Sequence, residues 1–302
     1  MKKVQFVIDD AYHFKEITDL GMYGSHSMLG AYHFDKKNWC ELVEPKDIKS
    51  GMDVIIFNYP ALIMKGLGKL GKKSVLININ SNQVITKAIK NPKKSFISAL
   101  QFFSVYDDIV CLSVCQVEPL KKFLNNLPST LIQLLTGRHP KIHVIPAAID
   151  ETMIRQIEKQ NLKQGNYYLT SGKDAGRVFK FNIKDKTIKI KAIGNGNSLP
   201  YNLYLKELLQ SKGLILKSVI NSKSSDLSGV TTFMEGLVAK KPVFINPQPW
   251  LQDYPMNNVY VYKSDKELEK LLKQNIQWKE CDLSYFLMPR YLKELKKVIY
   301  NN

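Results

Sequence analysis

Short apolar segments rich in β-branched residues alternate with stretches of helical length along the whole chain. Because these segments show no strict apolar–polar alternation, they predict strands buried on both faces of a parallel sheet. The segments lie at residues 4–8, 54–57, 75–79, 109–114 and 142–145, and then at 167–170, 188–193, 214–219, 243–245 and 259–262. The repeated strand–helix order predicts an α/β protein.

A polar stretch at 144–166 separates the two series of strands. There a predicted strand ends at Pro146 and charged residues follow before the next apolar segment. We therefore predict two Rossmann-like domains, residues 1–146 and 147–287, whose parallel sheets face a central cleft. Residues 288–302 form a predicted C-terminal helix, since Tyr291, Leu292, Leu295, Val298 and Ile299 give it one apolar stripe that can pack on the domains.

The composition supports folded domains and excludes several other classes. The chain has 302 residues, of which 44% are hydrophobic, enough to bury two cores. No apolar run reaches 18 residues and the first apolar stretch is too short for a signal peptide, so a cytoplasmic protein is expected. The four cysteines have no metal-type or disulfide-type spacing, which predicts buried thiols at Cys40, Cys111, Cys115 and Cys281.

The formal net charge of +17 points to a polyanionic partner, either a nucleic acid or an anionic membrane surface. Only four of the 44 basic residues are arginine, the side chain that binds phosphate in a bidentate manner. The scarcity of arginine therefore weakens the case for nucleic acid and leaves an anionic membrane surface as a candidate partner. Lysine-rich segments at 65–74 and 90–103 are candidates for peripheral contact with such a surface at the inner membrane face, and the alternative is that their apolar residues belong to the core beneath a solvated cap of lysines.

The segment SGKDAGR (171–177) directly follows a predicted strand. Gly172 and Gly176 would let the backbone approach a ligand closely, and Lys173 and Arg177 are two cations four residues apart, which suits a diphosphate. A glycine-rich turn with two solvated cations is the alternative interpretation.

The segment SGVTTFMEGLVAKKPVFIN (228–246) predicts a loop of small residues, a helix from about 231 to 239 and a strand. Gly229, Thr231 and Thr232 would begin the helix, where N–H groups and hydroxyls can hold a phosphate. Glu235 lies one turn further on, among apolar neighbours, and ribose hydroxyls would give its carboxylate a partner. The alternative is a solvated helix carboxylate.

These two segments resemble those of retaining glycosyltransferases with the GT-B fold, of the glycosyltransferase family 4 type. The segments VIPAAID (144–150) and YVYKSDKELEKLL (260–272) resemble the interdomain segment and the closing strand and helix of that family. The likeness covers about residues 144–272, and residues 1–143 show only a compatible strand–helix pattern. The first glutamate of the family's paired signature is replaced by Leu227, with Asp226 beside it.

The resemblance implies that Lys173 and Arg177 are the catalytic cations that neutralise the diphosphate of a nucleotide sugar, such as a UDP-sugar. It places Gly229, Thr231 and Thr232 on the donor as well, with Gly172 beside the diphosphate, and it implies that Glu235 grips the donor ribose. No metal ion or cofactor is expected apart from this co-substrate, and the implied front-face substitution requires no side-chain nucleophile.

The first half would then hold the acceptor. Asp9 and Asp10 end the first predicted strand, and His13 and His26 follow in a glycine-containing stretch, so these four residues are candidates for contact with an acceptor. The expected acceptor is a saccharide or glycolipid at an anionic membrane surface. Two alternatives stay open: a phage-type enzyme that glycosylates hydroxymethylated cytosine in DNA, and a non-catalytic nucleotide- or nucleic-acid-binding module.

Overall fold

The computed structural model describes residues 2–8, 38–58, 71–78, 105–171, 180–194, 199–218, 227, 229–274 and 276–300, together with positions 85, 90, 91, 93 and 97. The chain divides into two compact units. One contains Met1–Ala147, Ser225–Leu227 and Pro289–Asn302, and the other contains Ala148–Ser224 and Ser228–Met288. The division after Ala147 lies one residue from the boundary expected from the sequence, and the C-terminal segment belongs to the first unit.

The first unit contains a six-stranded sheet in which every neighbouring pair is parallel. The strand order is β2-β1-β3-β4-β5-β6. The strands are β1 (Val4–Val7), β2 (Glu41–Val43), β3 (Val54–Phe57), β4 (Lys73–Asn78), β5 (Asp108–Cys111) and β6 (Lys141–Val144). The central strands β1, β3 and β5 are buried along their whole length, whereas the edge strand β6 is partly exposed.

The second unit contains a five-stranded parallel sheet in the order β11-β10-β9-β7-β8. Its strands are β7 (Tyr168–Ser171), β8 (Ile190–Ile193), β9 (Leu214–Leu216), β10 (Val243–Ile245) and β11 (Val259–Val261). The prediction of an α/β protein with two parallel sheets is confirmed. The strand β2 was not predicted, because Leu42 and Val43 stand between two glutamates and form no apolar run.

The α-helices in the described part of the chain cover the sheets and connect their strands. They are α1 (Val117–Leu124), α2 (Leu127–Thr136), α3 (Thr152–Glu158), α4 (Tyr201–Gln210), α5 (Val230–Val238), α6 (Asp265–Lys273) and α7 (Met288–Tyr300). The expected C-terminal helix is therefore present as α7.

The helix α7 packs on the first unit with the apolar stripe seen in the sequence. Tyr291, Leu295 and Ile299 on this stripe are fully buried. At the end of the helix, the Tyr300 hydroxyl donates a hydrogen bond of 2.7 Å to the backbone carbonyl of Trp39. This hydrogen bond links the end of α7 to the residues that precede β2.

A buried carboxylate joins three neighbouring strands of the first sheet. Asp108 of β5 lies 2.8 Å from the ammonium group of Lys73 on β4 and 2.5 Å from Nε2 of His143 on β6. Lys73 also donates a hydrogen bond of 2.6 Å to the carbonyl of Val298 in α7. Burial by itself raises the pKa of Asp108, but the hydrogen bonds from His143 and Lys73 outweigh burial and hold this pKa below its ordinary value.

Replacing Asp108 with asparagine is expected to lower the free energy of unfolding by about 2 kcal/mol at neutral pH, because Lys73 loses its carboxylate. The pKa of Asp108 is lower in the folded protein than in the unfolded chain. The ion pair therefore contributes its full stability above the ordinary pKa of aspartate, and this contribution disappears as the pH falls through the folded-state pKa. Urea unfolding between pH 7 and pH 3 should therefore show the difference from wild type shrinking with acid. Glu118→Gln, which removes an exposed carboxylate from α1, serves as the control.

In the second unit, α5 lies unusually close to the sheet at Gly236. A Cβ atom at this position would lie 2.7 Å from Cδ2 of Leu214 on β9 and 2.9 Å from Cγ2 of Val243 on β10. Both distances are shorter than van der Waals contact, so only glycine lets the helix settle at this depth. The neighbouring residue Glu235 is also buried.

Gly236→Val is expected to lower the free energy of unfolding by about 2–3 kcal/mol, because the added methyl groups must push α5 away from Leu214 and Val243. Denaturant unfolding measures this loss. Lys270→Val, at an exposed position of α6, is the matched control and should change stability by at most about 0.5 kcal/mol. Equal stability of the two variants would show that α5 can shift without cost.

Candidate functional site

The second sheet has a topological switch point between β7 and β9, where the order in which strands are added to the sheet changes direction. From β7 the chain first adds β8 on one side and then returns to add β9 on the other side of β7. Ligands of open parallel α/β sheets bind at the carboxyl ends of the strands beside such a switch point. The carboxyl ends of β7 and β9 are therefore the place to look for a ligand site in this unit.

Two predicted motifs lead away from these two strands. The segment 171–177 begins at Ser171, the last residue of β7, and α5 is the helix that follows β9 and connects it to β10. Because β7 and β9 are neighbours, paired at Leu169↔Leu214 and Thr170↔Ile215, both motifs begin at the same edge of the sheet. Gly172, Lys173 and Arg177 themselves lie outside the described residues.

The helix α5 begins at Gly229, which adopts a left-handed conformation with φ of +87°. Glycine takes this conformation without the steric cost that other residues have. Thr231 and Thr232 lie half-buried in the first turn, and that turn contains no acidic residue that would offset the positive end of the helix dipole. The described first turn therefore has no negative side chain that would oppose the anion expected there from the sequence, and the anion site stays a prediction.

Glu235 is 5% exposed and forms hydrogen bonds with two tyrosines of α4. The Tyr201 hydroxyl donates to one carboxylate oxygen at 2.9 Å, and the Tyr204 hydroxyl donates to the other at 2.9 Å. The interpretation of Glu235 as a solvated carboxylate is therefore wrong. In the structure, Tyr201 and Tyr204 are partners of this buried charge. The sequence suggested only ribose hydroxyls as its partners.

The hydroxyl of Tyr201 is held in its neutral form. Burial is the main cause that raises the pKa of Tyr201 well above its ordinary value, and the negative charges of Glu235 and Asp150 act in the same direction. A neutral hydroxyl can donate a hydrogen bond, whereas a phenolate cannot. Tyr201 therefore remains a donor to Glu235 over the whole physiological range of pH.

Sequence reasoning missed Tyr201 and Tyr204, although one signal for them exists. They stand three residues apart at the beginning of a helix, so they share one face, and in the sequence they follow a stretch that contains Gly194 and Gly196. This spacing does not predict Glu235 as their partner, because Glu235 is 34 residues from Tyr201 and 31 residues from Tyr204 along the chain.

Aromatic side chains fix α5 from the opposite side. The ring centroid of Phe233 lies 5.1 Å from that of the fully buried Trp250, 5.7 Å from that of Tyr254 and 6.2 Å from that of Phe286. These edge-to-face contacts hold the helix, and with it Glu235, in one position. These aromatic side chains therefore fix the position of Glu235 by packing alone.

The carboxyl ends of β9 and β10 are joined by a side-chain amide. Asn246 accepts a hydrogen bond of 2.9 Å from the backbone N–H of Ser218 and donates one of 2.8 Å to the carbonyl of the same residue. Beside it, the ammonium group of Lys217 lies 2.5 Å from the carboxylate of Asp265 in α6. Lys217 is thus a further cation at the edge of the sheet where the predicted motifs begin, although Asp265 already neutralises it.

The remaining site predictions have mixed outcomes. Leu227, which replaces the family's first glutamate, is buried, and Asp226 lies outside the described residues. The acceptor-side candidates Asp9, Asp10, His13 and His26 also lie outside them, although Asp9 follows Ile8 directly after β1 in the sequence. The expectation of four buried thiols holds for Cys111 alone; Cys40, Cys115 and Cys281 are partly exposed.

Two further findings concern the described part of the chain. No group of three or more histidine, cysteine, aspartate or glutamate residues in it has the arrangement of a metal site. None of its helices combines the length and the apolar character needed to cross a bilayer.

The sequence matches no protein-family model and no curated protein. The structure, however, resembles solved structures along almost its whole length. HepE from Anabaena, in complex with UDP and glucose, has 9% sequence identity and a TM-score of 0.50, over 99% of this chain and 96% of that one.

Two other solved structures are similar to this chain. A UDP-forming α,α-trehalose-phosphate synthase from Burkholderia xenovorans has 12% identity and a TM-score of 0.53, over 96% of this chain and 79% of that one. AviGT4, a glycosyltransferase involved in avilamycin A biosynthesis, has 11% identity and a TM-score of 0.53, over 100% and 99% of the two chains. The fold of this protein, with its two parallel sheets, is therefore that of the GT-B glycosyltransferase structures.

Proposed function

We propose that this protein is a glycosyltransferase that transfers a sugar from a nucleotide-diphosphate sugar to a hydroxyl group. The observation that carries the proposal is the edge of the second sheet where β7 and β9 end side by side. A glycine-rich segment with two cations follows β7, and a helix start with φ of +87° at Gly229 follows β9. Both features suit a diphosphate, and the fold is shared with a protein solved in complex with UDP and glucose and with a UDP-forming synthase.

Lys173 and Arg177 are the proposed catalytic residues. In the transition state of sugar transfer, negative charge grows on the departing diphosphate, and two nearby cations would stabilise it. Gly172 would permit close approach of the diphosphate to the backbone, while Gly229, Thr231 and Thr232 would add N–H and hydroxyl donors at the helix start.

Glu235 is the proposed ligand of the donor ribose. Its carboxylate accepts hydrogen bonds from Tyr201 and Tyr204, and a carboxylate can accept about four hydrogen bonds in all. Ribose hydroxyls are the proposed donors of further hydrogen bonds to it. The tyrosines would then act as positioning residues that stabilise the carboxylate charge in the absence of donor and hold its plane fixed when the donor binds.

The resemblance to the glycosyltransferase family 4 type supports transfer with retention and without a metal ion. In the proposed substitution, the departing diphosphate deprotonates the acceptor hydroxyl on the same face of the sugar where that hydroxyl attacks. The protein would contribute the alignment of the two substrates and the stabilisation of charge at the leaving group.

The proposed acceptor is a saccharide or glycolipid at an anionic membrane surface, bound by the first unit. The net charge of +17 favours peripheral contact of a cytoplasmic protein with such a surface. The same charge would suit the phosphates of DNA, so hydroxymethylated DNA is the competing acceptor. The scarcity of arginine favours the membrane surface.

A panel of nucleotide sugars tests the reaction. Slow release of nucleoside diphosphate from one donor, without acceptor, would identify the nucleotide and the sugar together. Binding of a nucleotide without turnover of any donor would instead favour a non-catalytic module. Radiolabelled sugar transfer to lipid or saccharide extracts, compared with transfer to hydroxymethylated duplex DNA, then decides between the acceptors.

A further inference from the structure

The helix α2 presents leucine side chains to solvent. Leu127 is 71% exposed, Leu131 44%, Leu134 68% and Leu135 80%. Their spacing of four, seven and eight residues places them on one face of the helix, which we call the leucine face. A surface helix normally turns such a stripe towards the core, so this orientation requires a physical reason.

The orientation is fixed by contacts on the opposite side of the helix. Ile132 is 3% exposed and belongs to the core of the first unit. Asn126 caps the helix by accepting a hydrogen bond of 2.9 Å from the N–H of Ser129, and Gln133 donates one of 2.9 Å to the carbonyl of Leu124 in α1. Gly137, with φ of +65°, ends the helix. These contacts hold α2 with the leucine face outward.

The charges around α2 indicate which kind of surface could cover it. Residues 127–136 contain no charged side chain, so nothing on the helix itself opposes burial. Three exposed lysines stand close to the helix in the chain: Lys121 and Lys122 of α1 before it and Lys141 after it. Lys122 also lies 3.7 Å from the carboxylate of Glu118, an exposed pair that is screened by solvent. An uncharged apolar helix face with lysines near it in the sequence has the composition of a surface that lies in the interface of an anionic bilayer.

We propose that the leucine face of α2 is the surface by which this protein docks on an anionic lipid bilayer. The leucines enter the boundary between headgroups and acyl chains, and the flanking lysines contact lipid phosphates. A second copy of the chain is the less favourable occupant, because two molecules of net charge +17 repel each other. The docking surface differs from the lysine-rich segments at 65–74 and 90–103 that the sequence suggested.

Flotation with vesicles tests the proposal without any nucleotide sugar, so its result is independent of the proposed sugar transfer. Wild-type protein is expected to bind vesicles of equimolar phosphatidylglycerol and phosphatidylcholine and to bind pure phosphatidylcholine far more weakly. The double variant Leu134→Gln, Leu135→Gln should lose at least about tenfold in partitioning, since two exposed apolar side chains no longer enter the bilayer. Glutamine keeps the helix propensity and adds no charge.

Met256→Gln is the matched control, because Met256 is an exposed apolar residue of the second unit, and its partitioning should equal that of wild type. The circular dichroism spectrum of the double variant in the absence of vesicles should equal that of wild type, which shows that the variant is folded. Equal partitioning of the double variant and wild type would overturn the proposal. Sedimentation showing a dimer that only the double variant loses would overturn it as well, in favour of a second copy of the chain.

Discussion

Replacing Lys173 or Arg177 with alanine is expected to cost about 2–4 kcal/mol in transition-state stabilisation, measured as the fall in kcat/KM for the donor identified by the nucleotide-sugar panel. The physical reason is that each cation opposes the negative charge that grows on the leaving diphosphate. The effect on the free energy of unfolding is expected to be small, because substitutions of charged side chains outside the core usually change stability little.

Lys270→Ala is the control for loss of a positive charge in the second unit. Lys270 is exposed and lies in the last turn of α6. This variant should keep the kcat/KM of wild type. If Lys173→Ala and Arg177→Ala also kept it, the segment 171–177 would be a solvated turn and the donor site would have to be sought elsewhere.

Glu235→Gln is expected to weaken the binding of nucleoside diphosphate by about 1.5–3 kcal/mol, the usual contribution of hydrogen bonds to a charged group. Isothermal titration calorimetry measures the change. The substitution preserves shape, and the amide can still accept from one tyrosine hydroxyl and donate to the oxygen of the other. The free energy of unfolding should therefore change less than the binding free energy.

Tyr204→Phe separates the two roles of this carboxylate. It removes one of the two hydroxyls that satisfy Glu235 and should mainly reduce the free energy of unfolding, because a buried charged group loses a donor. A structural role alone would give Glu235→Gln the affinity of wild type with a clear loss of stability. That combination would contradict the assignment of Glu235 to the ribose.

The strands were predictable from the sequence because most of them lie in a run of apolar residues, and such runs are visible locally. Each of the ten predicted segments overlaps a strand, and the predicted helix at 231–239 corresponds to α5. The strand β2 was missed because its only apolar residues, Leu42 and Val43, stand between Glu41 and Glu44 and form no run. Glycine and threonine at the start of α5 also identified that helix end before its structure was known.

The order of the strands and the partners of Glu235 were decided by the tertiary structure alone. Strand pairing depends on contacts between distant segments, so only the sheet showed that β7 and β9 end side by side. The sequence indicated that a carboxylate among apolar residues needs a partner, but the tyrosines that serve it stand on another helix.

The helix α2 also shows that the sequence alone does not determine tertiary contacts. A stripe of leucines predicts a face turned towards the core, yet Ile132 occupies the core and the leucines face solvent. Periodicity determines which residues share a face of a helix, whereas the contacts of the whole domain determine which face is buried.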